Sequence, residues 1–209
     1  FETVAEVMRS TGVSIFGWRR STLFRCALEL ARAELVAQGL TPVSSLSLEA
    51  VWARVTYELG EDQLLHRLQP LEGRPGLSRA LARTVGELRM LGAPHPSPLP
   101  RGEGVPPELS EALRAYEALL AEKKLADKAT IFALAMKCVA QSPKAPLLVL
   151  DVPAQPGVEV DFIKALVEHA PRALVTAPAE DTPFIDALGM TPEVLAVDGD
   201  DALARQQRN

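Results

Sequence analysis

Hydrophobic period changes once along this chain, near Pro143. Ahead of it, apolar residues recur every three or four positions. Leu23, Phe24, Ala27, Leu28, Ala31 and Leu35 form one such run; Leu48, Val51, Trp52, Val55 and Leu59 form a second. Leu77, Leu81, Val85, Leu88 and Leu91 make a third, Leu109, Leu113, Tyr116, Leu119 and Leu120 a fourth, and Ile131, Phe132, Leu134, Ala135, Cys138 and Val139 a fifth. That spacing predicts amphipathic helices, each with one stripe to bury against the others. Beyond Pro143 the apolar runs shorten. "LLVL" (147–150), "ALVT" (173–176) and "VLAV" (194–197) read as buried strands, and "VDFIKALVEHA" (160–170) as a helix between the first two. Strand, helix, strand predicts a βαβ unit and a parallel sheet. Three strands make a poor sheet, and "VSIF" (13–16) offers a fourth. The helices then become an insertion between strands of one α/β domain.

Punctuation residues divide the chain further. Ser21, Ser47 and Asp127 suit N-caps, and Gly39, Gly60 and Gly92 suit helix ends. "APHPSPLPRGEGVPP" (93–107) holds six prolines and two glycines in 15 residues and has no apolar period. It reads as a disordered surface loop inserted between two helices, where added length costs little stability. Three segments result: 1–20, a strand with its following loop; 21–143, an inserted helical subdomain; and 144–209, the βαβ part.

Charge excludes a global nucleic-acid footprint. The net charge is −5, and residues 144–209 hold 5 Lys/Arg against 11 Asp/Glu. Contact with a polyanion must therefore come from a local patch. The densest is "WRRSTLFR": Trp18 with Arg19, Arg20 and Arg25. Cations for phosphates beside a flat ring for bases are what single-stranded DNA needs. A solvated helix start, with Trp18 packed on the helices, accounts for the same residues. Arg74, Arg79, Arg83 and Arg89 along the third helix read as a solvated face, and Glu87 and Glu117 as helix-surface acids. His66, His95 and His169 lie in unlike contexts and do not suggest a metal or catalytic site. Cys26 and Cys138 have no metal-ligand spacing and read as reduced core thiols, which fits a cytoplasmic protein. No apolar run approaches the roughly 20 residues that span a bilayer. The first residues lack a signal-peptide pattern, and a start without Met reads as a piece of something longer.

Three stretches together resemble a known family: "VSIFGWRRSTLFRCALELA", "LRAYEALLAEKKLADKATIFALA" with Tyr116, Leu120, Asp127 and Ala135 at matching steps, and "LLVLDVPAQPGVEVDFIKALVEHAPRALVTAPAED". In this order they resemble superfamily-one helicases. The closer likeness, through "GLSRALARTVGELRMLGA", is to the second, degenerate helicase subunit of bacterial ATP-dependent helicase–nucleases, the AddB-type family, whose longer members carry a PD-(D/E)XK nuclease domain. The resemblance implies a partial RecA-like parallel sheet of P-loop NTPase type with a large all-helical insertion. It implies a role in DNA repair and recombination, with single-stranded DNA and a helicase–nuclease partner subunit as partners. Trp18, Arg19, Arg20 and Arg25 fall at a DNA-contacting loop of that family, and Asp151 falls at its magnesium-binding strand end.

The departures carry equal weight. An active enzyme follows that aspartate with a glutamate that positions water. Here Val152 and Pro153 follow, and no GxxxxGK[ST] loop occurs to cradle phosphates. No E-x-K arrangement of a PD-(D/E)XK site and no GxSxG elbow is present either. Asp151 is then a remnant of a nucleotide and magnesium site, or simply a strand-end acid that accepts hydrogen bonds. No cofactor is expected in these residues; ATP and magnesium would belong to the longer protein. The expected role is a non-catalytic helicase-like scaffold. The alternatives are a helical protein-interaction module without a DNA role, and part of an active ATP-dependent helicase completed by upstream residues.

Overall fold

The computed structural model describes residues 17–71, 73–92, 106–178 and 180–193. The expected strands "VSIF" and "VLAV", His95 and most of the proline-rich loop lie outside the described residues. Within them the protein is mixed helix and strand, mostly helical, with two small parallel sheets. The order is α1 (Leu23–Gln38), β1 (Thr41–Pro42), α2 (Ser45–Glu61), a 3-10 turn (His66–Leu71), α3 (Pro75–Met90), α4 (Pro107–Glu122), β2 (Leu125–Ala126), α5 (Lys128–Val139), β3 (Leu147–Leu150), α6 (Val158–His169), β4 (Ala173–Thr176) and α7 (Thr182–Leu188).

The five helical runs ahead of Pro143 are all helices, with two caps displaced. Thr22, not Ser21, caps α1, its hydroxyl accepting the Arg25 N–H at 3.3 Å. Ser44, not Ser47, caps α2, accepting the Ser47 N–H at 3.1 Å. The reason is reach: a capping oxygen serves the N–H three residues onward, and each of these hydroxyls stands at that distance from its partner. Asp127 caps α5 as expected, accepting the Thr130 N–H at 3.0 Å. Gly39 ends α1 in the left-handed region. Gly60 does not end α2. The helix runs through it, buried, to Glu61, and Gln63 takes the positive φ instead.

Among the described residues three apolar cores hold the helices and strands together. α2, α3 and α4 enclose Trp52, Val55, Leu81, Val85 and Tyr116, where the Trp52 and Tyr116 rings stack at 4.6 Å between centroids. A second core joins α1, α5 and α6 around Ala27, Ala31, Phe132 and Phe162, the last two meeting edge to face at 5.4 Å. The third lies between β3, α6 and α7, around Val149, Ile163 and Phe184. So α1 and α5, ahead of residue 143, share their core with α6, beyond it. Small alanines on α1 and α5 let those helices approach closely.

"LLVL" and "ALVT" are strands as expected, but not the buried ones anticipated: of their residues only Val149 is buried, and Leu150 and Leu174 are exposed. The two strands pair in parallel, with Leu147 opposite Ala173 and Leu150 opposite Thr176. β1 and β2 are only two residues each and also pair in parallel. Too short for any periodicity, they tie the exit of α1 to the entry of α5. Gly157, at φ 99°, lets α6 start against the end of α3: a Cβ there would stand 2.3 Å from the Met90 carbonyl oxygen.

Candidate functional site

The Trp18 and arginine cluster surrounds the N-terminus of α1. Trp18 is 42% exposed, and Arg19, Arg20 and Arg25 belong to the same outward-facing start of the helix. Arg19 pairs with Glu29, one to two turns along α1. The first turn of α1 carries no acid. Positive side chains therefore sit where the helix dipole is also positive. The helix dipole gives such side chains no support. Leu23 of the same turn packs into both the second and the third core, which holds the start of α1 beside the α/β part. Phe24, at the margin of exposure, leans on Phe132.

Asp151 leaves β3 at φ 46°, a left-handed conformation that Asp tolerates better than most residues. Its N–H donates to the Thr176 carbonyl oxygen at 3.1 Å and lies 3.2 Å from the Thr176 hydroxyl oxygen. That hydroxyl donates to Asp151 Oδ1 at 2.9 Å. The carboxylate is thus tied to the end of β4 at an exposed position. Magnesium demands six oxygen ligands in near-octahedral array. The protein supplies one carboxylate here, with one oxygen engaged by Thr176, and Val152 stands where a second acid would. Among the described residues no group of three or more His, Cys, Asp or Glu side chains could hold a metal ion.

The strongest electrostatic construction lies elsewhere. Arg89 is buried, which corrects its reading as part of a solvated face. Its Nε donates to Asp127 Oδ2 at 2.7 Å and its Nη2 to Asp127 Oδ1 and the Thr130 hydroxyl, both at 3.2 Å, while Nη1 donates to Glu117 Oε1. Tyr116 donates its hydroxyl to Asp127 Oδ2 at 3.2 Å. Glu117 is correspondingly more than a helix-surface acid: it faces Arg89 and is mostly covered. Burial works against the Asp127 charge, but the Arg89 and Thr130 hydrogen bonds outweigh it and hold the carboxyl below its usual range. Burial, then the Asp127 charge, push the Tyr116 phenol up. Geometry explains the misreading. Arg89 is four residues from Val85, and so on the buried stripe, but its type suggested solvent. The remaining arginines of the group, Arg74, Arg79 and Arg83, are exposed, with Arg83 pairing Glu87 at 3.4 Å.

Two further buried acids carried no sequence signal. Glu159 accepts the Gln155 N–H at 2.9 Å and pairs with Lys128 at 2.5 Å, pinning the loop after Asp151 to α5. Glu108 accepts the Arg67 N–H at 3.2 Å beside an apolar groove of about 440 Å³ between the 3-10 turn, α3 and α4. His66 and His169 stay apart; His169 Nε2 lies 2.9 Å from the Ser142 carbonyl oxygen. Cys26 and Cys138 are unbridged and half-buried, and burial followed by the Glu29 charge pushes the Cys26 thiol up.

Compared with protein-family models, curated proteins and solved structures, the chain matches none. Among the described residues no helix is long and apolar enough to cross a membrane.

Proposed function

We propose that this chain is a non-catalytic, helicase-like part of a DNA repair helicase–nuclease, which grips single-stranded DNA and docks a partner subunit. In this reading β3 and β4 belong to a RecA-like parallel sheet, and the helices from α1 to α5 are its insertion. The observation that carries the proposal is the α1 N-terminus. Trp18, Arg19, Arg20 and Arg25 surround a helix start that has no acid in its first turn. The helix start and its exposed arginines suit a strand of phosphates, and the indole offers a stacking face. Asp151 keeps the place of a magnesium ligand, while its bonds to Thr176 give it a structural duty.

Fluorescence anisotropy of a labelled single-stranded oligonucleotide tests this. Each phosphate contact adds about 0.7 to the slope of log affinity against log salt. The triple substitution Arg19→Glu, Arg20→Glu, Arg25→Glu should lower that slope by about 2, and Trp18→Ala should cost about 1–3 kcal/mol of binding. Acids are favourable at a helix N-terminus, so the triple variant should keep its fold. Unchanged affinity and slope would sink the assignment. Absence of binding at low salt would favour the alternative, an interaction module without a DNA role. The chain should not hydrolyse ATP, since it has neither phosphate loop nor water-positioning glutamate; DNA-stimulated hydrolysis would overturn that claim.

A further inference from the structure

Helix α2 is apolar on two opposite sides. Val51, Trp52, Val55 and Leu59 face the core. Leu46, Ala50, Ala53 and Tyr57 face solvent, with Leu46 76% and Tyr57 67% exposed. At 100° per residue the two stripes lie about 180° apart. A helix that serves only one core has a polar far side. Leu46, Ala50, Ala53 and Tyr57 are spaced by four, three and four residues, the d-a-d-a spacing of a helix-pairing seam. Two alanines at its centre let a second helix approach closely.

The residues flanking this seam select the occupant. Glu49 precedes an a position and Arg54 follows a d position, so they lie on opposite flanks, and both are exposed. In a parallel pair of identical helices, Glu49 of one faces Arg54 of the other, five residues onward, and the symmetry repeats the contact. In an antiparallel pair each flank meets its own copy, acid against acid and arginine against arginine. Arg54 now bonds Glu58 of its own helix at 2.6 Å, an exposed pair that holds it weakly and leaves it able to exchange.

We infer that the outer stripe of α2 is a self-association surface on which a second copy of this chain docks its own α2 in parallel register. Four residues bury less than the roughly 800 Å² per partner of a stable interface. The pair should therefore form at high micromolar concentration rather than nanomolar.

Sedimentation velocity of the full chain over a concentration series tests this. Self-association should appear in the high micromolar range and weaken at least tenfold in Ala53→Glu, an exposed site whose substitution leaves the core untouched. Glu49→Arg and Arg54→Glu should each weaken it, and the two together should restore it. Ala50→Cys under mild oxidation should give a dimer linked between the two introduced thiols, against a parent-protein control for Cys26 and Cys138. A chain that stays monomeric throughout, a dimer indifferent to Ala53→Glu, or a double charge reversal no better than either single one would overturn the inference. The first result would mean that a second copy does not cover the stripe.

Discussion

Gly157→Ala should be among the most damaging single-methyl additions to this protein. The residue sits at φ 99° and ψ −138°, where a side chain is strained. Holding a non-glycine residue there costs about 1–3 kcal/mol. The added Cβ would also stand 2.3 Å from the Met90 carbonyl oxygen, 2.7 Å from Leu91 Cα and 2.9 Å from the Leu91 carbonyl carbon. These are backbone atoms at the end of α3 and cannot rotate away. Relief requires α6 to retreat by about 1 Å, which opens the core where Val158 and Phe162 pack with α1 and α5. Overpacking of that kind costs about 1–3 kcal/mol. The two contributions together reach about 4 kcal/mol, a large share of the roughly 5–15 kcal/mol that holds a domain together. Urea denaturation reads this directly. With a slope of about 2 kcal/mol per molar, the midpoint should fall by about 2 M. Gly92→Ala is the internal control. It also has positive φ, 77°, but its nearest neighbour is Val158 Cγ1 at 3.8 Å, an ordinary contact. It should lose only the conformational part, about 1 kcal/mol. If Gly157→Ala shifts the midpoint no further than Gly92→Ala, the close approach of α6 to α3 is not rigid and the reasoning fails.

The buried ion cluster supports two more predictions. Arg89→Met leaves Asp127 and Glu117 uncompensated and should destabilise by about 3–5 kcal/mol, whereas Arg89→Met combined with Asp127→Asn and Glu117→Gln should recover part of the loss in the same urea assay. Because the folded Asp127 carboxyl titrates below its ordinary value of 3.8, it contributes stability that is fully present above that pH. That contribution is lost as pH falls through the lower folded value. Thermal unfolding between about pH 6 and pH 2 should therefore show a fall in acid that Asp127→Asn flattens; a parallel fall in both proteins would refute it.

Helix type was legible in the five apolar runs ahead of Pro143 because they keep one period, and a period of 3.6 has a single structural solution. "LLVL" and "ALVT" were legible as strands because short apolar runs between turn residues suit a parallel pair; their partial exposure was not. Which helix packs on which was not. α1 and α5 share their core chiefly with α6, a choice made by alanines and phenylalanines whose partners lie far off in sequence. The two-residue pairing of β1 with β2 left no pattern to read. Of the candidate site, the sequence located Trp18 and its arginines and placed Asp151 at a strand end. The Thr176 clasp on Asp151 needed the register of two strands.

Arg89 marks the boundary most clearly. A chain of residue types determines periodicity, caps and net charge, since those depend on neighbours within a turn. Whether a cation is solvated or sealed depends on what other segments bring to it. Glu117, Asp127 and Thr130 are 28 to 41 residues away along the chain, and only the packing of α3, α4 and α5 brings them within hydrogen-bond distance.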